Sequence, residues 1–144
     1  MKSETVNHRK TDSEDIEAVT EDNVEAILRF LPIFDQEGYV FGEVIAEKGQ
    51  FPFASLSKDS MEFIRAAYDN NWVVPFDWGN WKDSEEGRHF QTVDALQEAD
   101  TEILQKILTT IIRQDRFVEG LMLDLLEQGY VTAILRKLKQ IYEQ

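Results

Sequence analysis

Two short stretches concentrate the side chains best suited to chemistry. The first is Arg113-Gln114-Asp115-Arg116-Phe117-Val118-Glu119-Gly120. Two guanidiniums three residues apart project the same way from a helical turn, and each is a planar fork matched to a carboxylate or phosphate. The second is Val74-Pro75-Phe76-Asp77-Trp78-Gly79-Asn80-Trp81. Its two indoles, also three apart, offer ring area to stack on a planar ligand or to sandwich a guanidinium. Brought together, Arg113, Arg116, Asp77, Trp78 and Trp81 make a candidate pocket or interface for a small anionic or aromatic ligand, or for a protein partner. A structural role competes with each group. The arginines would satisfy helix C-terminal carbonyls and pair with acids such as Asp77 or Asp100, tying the two halves of the chain together, and the tryptophans would close the core beneath a loop. Gly120, inside an expected helix, costs about 1 kcal/mol relative to Ala and marks close helix approach or room beside it.

Catalytic and metal templates find little to attach to. His8 falls in a polar N-terminal stretch, which leaves His89 as the imidazole in a structured region. Ser55, Ser57 and Ser60 lack the surroundings of a nucleophile elbow. Asp83, Glu85 and Glu86 form a solvated acidic run without the periodic ligands and central glycine of a calcium loop. With no cysteine there is no thiolate zinc site, iron–sulfur cluster or cysteine nucleophile, so no metal or cofactor is expected, and the composition suits a reducing cytosol. A small enzyme is an alternative that needs His89 or an acid beside a cleft that also holds the arginines.

Charge narrows the partners. The 144 residues include 28 acidic and 15 basic side chains, a net charge of -13. Residues 21–100 carry -11 of it, whereas residues 101–144 are neutral. Aromatics follow the acids, 13 of 16 lying between Phe30 and Phe90, so an acidic, aromatic middle precedes an aliphatic end. Such a surface admits a second alternative, an acidic protein-interaction or nucleic-acid-mimic protein. Residues 116–139 also read as helix, turn and basic helix, but the acidic body opposes phosphate contact, and direct nucleic-acid binding is not expected. Met1-Lys2-Ser3-Glu4 leads into a polar stretch without the apolar run of a signal peptide, and no membrane span is present; a cytoplasmic protein is expected.

The elements that must position these residues are mostly helical. A flexible lead-in is expected over residues 1–19 and a single helical domain over residues 20–144, with about five helices. Thr20 caps a first helix through Val24, Ile27, Leu28 and Leu31, ended by Pro32. Tyr39–Phe41 and Val44–Ile45 offer a short hairpin, yet Gly38, Gly42, Gly49 and Pro52 favour a packed irregular loop as far as Leu56. Ser57 or Asp59 caps a helix to Asp69 with Met61, Ile64, Ala67 and Tyr68 inward, stopped by Asn70-Asn71. Asp77 caps a turn through Trp81, and Thr92 or Asp94 opens another. Asp100 or Thr101 then starts a helix to about Arg113, whose pairs Ile103/Leu104, Ile107/Leu108 and Ile111/Ile112 make a stripe wide enough to pack on two sides. Beyond Gln114-Asp115, a helix with Phe117, Val118, Leu121, Met122, Leu125 and Leu126 inward ends at Gly129. The last helix sets Val131, Ile134, Leu135, Leu138 and Tyr142 opposite Arg136, Lys137 and Lys139. Short loops make these a C-terminal three-helix unit.

Phe76-Asp77-Trp78 with Trp81, Leu108-Thr109 with Arg113, Arg116-Phe117 with Gly120, and Gly129 with Ile134-Leu135 and Leu138 stand out together. In these residues the chain resembles an uncharacterised bacterial domain family of unknown function, over roughly residues 68–138. Its most specific part is Arg-x-x-Arg-Phe-x-x-Gly. Many members of that family carry a histidine directly after this glycine, where Leu121 stands here, so no role of that imidazole transfers. The resemblance implies a small, mostly helical cytoplasmic protein and supplies no activity.

Overall fold

Among the described residues, five helices start where a short polar side chain reaches back to a free backbone amide. The computed structural model describes residues 16–143. Helix α1 (Glu21–Leu28) begins at a reciprocal capping box: the Asn23 amide donates to Thr20 Oγ1 at 3.2 Å, and the Thr20 amide donates to Asn23 Oδ1 at 2.9 Å. It ends before Pro32. That proline instead sits in the first turn of α2 (Leu31–Phe34), where a missing N–H leaves no bond unmade.

The stretch expected to be an irregular loop contains an antiparallel hairpin. Strand β1 (Gly42–Ile45) pairs with β2 (Phe53–Leu56), Gly42 opposite Leu56 and Ile45 opposite Phe53. A Cβ on Gly42 would lie 2.4 Å from the Ser55 carbonyl oxygen, so this crossing requires glycine. Helix α3 (Lys58–Asp69) follows, capped by Ser57. Its inward face carries Ser60, Phe63 and Ala67, whereas Met61 and Tyr68, expected inward, are exposed. The Ser60 hydroxyl donates to the Phe41 carbonyl at 2.9 Å, which lets a polar residue occupy the core side and turns Met61 outward. Asn71, at φ +65°, stops the helix in the left-handed region that asparagine tolerates.

Helices α4 (Trp78–Asp83) and α5 (Glu85–His89) and a 3-10 turn (Asp94–Glu98) lead to α6 (Thr101–Gln114). Every residue of α6 from Leu104 to Ile112 is buried, so it is enclosed on more sides than its apolar stripe predicts. The next helix, α7 (Leu121–Glu127), starts later than expected. Residues 115–120 form turns that leave Phe117 78% exposed and Val118 43% exposed, because Gly120 adopts φ +84° and breaks the helical run. Gly120 is thus a left-handed N-cap, with no neighbour within 4 Å of where a Cβ would stand. Gly129, also at φ +84°, joins α7 to α8 (Tyr130–Tyr142).

Among the described residues the fold is mostly α, with five helices of seven residues or more, three short ones and one small sheet. Helices α6, α7 and α8 pack on one another as the expected three-helix unit. One apolar core runs from Val24, Ile27, Phe30 and Phe63 through Trp72 to Leu104, Leu108, Leu126, Ile134 and Leu138. Residues 1–15 of the expected lead-in lie outside the described residues; Ile16 is buried, and the Glu17 carbonyl accepts from Gln105 Nε2 at 2.9 Å.

The non-helical chain between α3 and α4 enters this core with its backbone groups paired by α6. Thr109 Oγ1 accepts from the Val74 amide at 2.9 Å and donates to the Trp72 carbonyl at 3.2 Å. Gln105 Nε2 donates to the Asn71 carbonyl at 2.8 Å. Replacing Thr109 with Val keeps the volume but strands a buried amide, so Thr109→Val is expected to lower unfolding free energy by about 1–3 kcal/mol. Urea denaturation checks this, and a change smaller than that of an exposed control such as Thr92→Val would refute it.

Candidate functional site

The five residues singled out in the sequence separate into three settings. Asp77 is a helix cap: its carboxylate accepts from the Asn80 amide at 3.2 Å and from Asn80 Nδ2 at 2.6 Å. Asp100 likewise caps α6, accepting from the Ile103 amide at 2.9 Å. The acids expected to bind the arginines are therefore committed to helix starts. Among the described residues, neither Arg113 nor Arg116 has a carboxylate within salt-bridge distance. Arg113 is half-buried at the end of α6 and Arg116 is exposed in the following turn.

Trp78 joins this turn. Its indole stacks on Phe117, ring centroids 6.4 Å apart and planes inclined by 26°. The pairing spans the acidic middle and the helical end, and it leaves the outer face of Phe117 in solvent. Sequence periodicity placed Phe117 in the core. The conflicting signal was Gly120, which fits a left-handed turn better than a helix interior.

Trp81 lies on the inner side of α4. Its ring meets Phe76 edge-on at 6.1 Å, and Nε1 donates to Glu86 Oε1 at 2.8 Å. It walls a cleft of about 150 Å³, floored by Ile107, Thr110 and Ile111 of α6, closed by Phe90 and Tyr130, and rimmed by Gln91 and Gln114. Trp78, Arg113 and Arg116 do not line it. Gly87 does, because α5 crosses α4 so closely there that a Cβ would stand 2.0 Å from the Trp81 carbonyl oxygen. Tyr130 donates to the Phe90 carbonyl at 2.5 Å, and burial pushes its phenol pKa well above the ordinary value of 10.0. The spacing Ile107, Ile111, Gln114 along one helical face was the sequence signal for this cleft.

The titratable groups around these settings are engaged locally. The buried stem of Lys106 carries its ammonium out to Glu102 at 3.6 Å and Glu86 at 4.0 Å. His89 is exposed at the end of α5, with Nε2 3.1 Å from Glu98, and does not line the cleft. Among the described residues, no group of three or more His, Asp or Glu side chains is placed to hold a metal ion, and no helix is long and apolar enough to cross a membrane.

A family profile described as a family of unknown function, DUF6508, matches residues 19–144. The chain belongs to this family. The match extends the resemblance seen over residues 68–138 to the whole helical part, including α1 and the hairpin. No curated protein and no solved structure matches the chain.

Two outcomes follow from the cleft walls of this DUF6508 member. Gly87→Ala forces α4 and α5 apart and should cost about 1–3 kcal/mol, read by thermal or urea denaturation. A phenol that ionises near pH 10 when unfolded but far higher when folded stabilises the fold below pH 10 and loses that contribution as pH rises further. Tyr130→Phe should therefore flatten the alkaline fall in stability above about pH 10, between the unfolded pKa and the higher folded one, relative to the parent.

Proposed function

We propose that the protein is a non-enzymatic binding or regulatory module whose recognition face is built by Trp78, Phe117, Arg113 and Arg116, and that this face docks a protein partner presenting acidic side chains. The observation that carries the reading is Phe117, 78% exposed and stacked on Trp78, in the same turn region as two arginines that have no carboxylate within salt-bridge distance among the described residues. Aromatic rings and arginine dominate the energetic centres of protein interfaces. A stacked pair is already ordered, so docking on it loses little side-chain entropy. Asp77 contributes as the cap that starts α4 at Trp78, and Trp81 belongs to the separate cleft. That separation favours a surface for a macromolecule over one pocket for a small anion.

The other readings have less behind them. An enzyme would need His89 or an acid beside a substrate-sized cleft that also holds the arginines, and among the described residues neither arginine, nor His89, nor any acid lines the cleft at Trp81. A nucleic-acid mimic would need an unbroken acidic stripe, but Lys58 pairs with Glu62 at 3.8 Å and Lys82 with Asp83 at 3.0 Å within that surface. Direct nucleic-acid contact would draw on the last helix, whose Arg136 is bound to Asp35, Lys137 to the Gln97 carbonyl at 2.7 Å and Lys139 to Glu143 at 3.8 Å. A cytoplasmic, bacterial setting belongs to this reading; the cysteine-free sequence suits a reducing compartment.

A photo-crosslinking amino acid at position 117, in the full chain expressed in its own host, should trap a discrete protein adduct. The same label at exposed Tyr68 should not. Reversing both charges, Arg113→Glu with Arg116→Glu, should cut that adduct at least about fivefold while circular dichroism is unchanged. Equal labelling at both positions, or an adduct indifferent to the charge reversal, removes the proposal.

A further inference from the structure

The cleft beside Trp81 is separate from the Trp78–Phe117 face, and its lining restricts what it can hold. Most of its side-chain polar groups are already used. Trp81 Nε1 donates to Glu86, the Tyr130 hydroxyl to the Phe90 carbonyl, and Thr110 Oγ1 to the Lys106 carbonyl at 2.7 Å. The Lys82 ammonium lies 3.0 Å from Asp83. Among the described residues, two side-chain amides of the lining, Gln91 and Gln114, have no protein partner.

Size and charge then select the occupant. A cleft of about 150 Å³ with apolar walls has the volume that admits one six-membered ring. Trp81 and Phe90 supply aromatic walls, and Ile107 and Ile111 an aliphatic floor. The nearby ammonium groups are neutralised by Asp83, Glu86 and Glu102, so no net positive charge is left for an anion, and the whole chain at -13 repels one. Two primary amides each offer a donor and an acceptor, the complement of another amide edge. We propose that this cleft is a binding site for an uncharged monocyclic aromatic ring bearing a carboxamide or ring-amide edge, with the ring between Trp81 and the α6 floor and the edge paired to Gln91 and Gln114.

Benzamide is the probe, titrated into the full-length 15N-labelled protein. The Trp81 indole N–H and the Gln91 and Gln114 side-chain amides should shift together and saturate, with Kd on the order of millimolar for so small a ligand. The Trp72 indole, sealed in the core against the Asn23 carbonyl, should stay fixed. Toluene, which lacks the amide edge, and benzoate, which is charged, should each bind at least about tenfold more weakly. Gln91→Leu with Gln114→Leu, both at rim positions, should bring benzamide down to the toluene level. Unsaturable shifts, shifts of Trp72 equal to those of Trp81, benzoate binding as tightly as benzamide, or a double variant that binds benzamide normally would each overturn the assignment. None of these outcomes depends on whether Phe117 docks a partner.

Discussion

Two polar side chains on the most buried helix govern where the rest of the chain can go. Gln105 and Thr109 lie one helical turn apart on α6 and receive the carbonyls of Asn71 and Trp72 and the amide of Val74. A non-helical strand of chain cannot cross an apolar core unless its backbone groups find partners there, and water is excluded from this one. The pairing fixes Trp72 as the largest fully buried side chain, its indole N–H held by the Asn23 carbonyl at 2.8 Å. It also sets the point at which the chain leaves the core, and so the start of α4. Trp78 then falls over the 115–120 turn and Trp81 over the α6 floor.

The electrostatic tie between the acidic middle and the neutral helical end exists, but other cations carry it. Arg136 reaches Asp35, Lys137 reaches the Gln97 carbonyl and Lys106 reaches Glu86. These residues sit on helix faces already packed against the middle, so short reaches suffice. Arg113 and Arg116 lie where α6 gives way to turns, and the acids that could have met them cap helices instead. Exposed ion pairs of this kind contribute roughly 0–1 kcal/mol each, so the apolar core and the α6 hydrogen bonds hold the halves together. Among the described residues, the two arginines take no part in that tie.

Much of the helical layout was legible from local chemistry. Thr20, Ser57, Asp77 and Asp100 each cap the helix they announce, and Gly129 turns the chain where its position suggests. These signals act within a few residues, through one side chain and one amide. The hairpin was obscured because Phe53-Ala54-Ser55-Leu56 carries a weak strand pattern, and its pairing depends on Gly42 across the sheet. Met61, Tyr68 and Phe117 were placed inward by periodicity, yet which edge of an apolar stripe faces solvent is settled by the neighbour that packs there. At Phe117 the neighbour is Trp78, 39 positions earlier in the chain.

The sequence by itself determined the mostly helical class, the caps, the buried stripe of α6 and the division into an acidic aromatic middle and a neutral aliphatic end. Those properties follow from periodicity, local hydrogen bonding and composition, none of which needs distant partners. Tertiary structure alone decided that the five chemically prominent residues separate. Trp78 and Trp81 are three residues apart on one short helix, a spacing that puts them on one side of it, yet the neighbours that pack there differ once α4 is anchored on α6. One goes to the exposed Phe117, and the other to a cleft whose opposite wall comes from residues some 26 to 49 positions later in the chain.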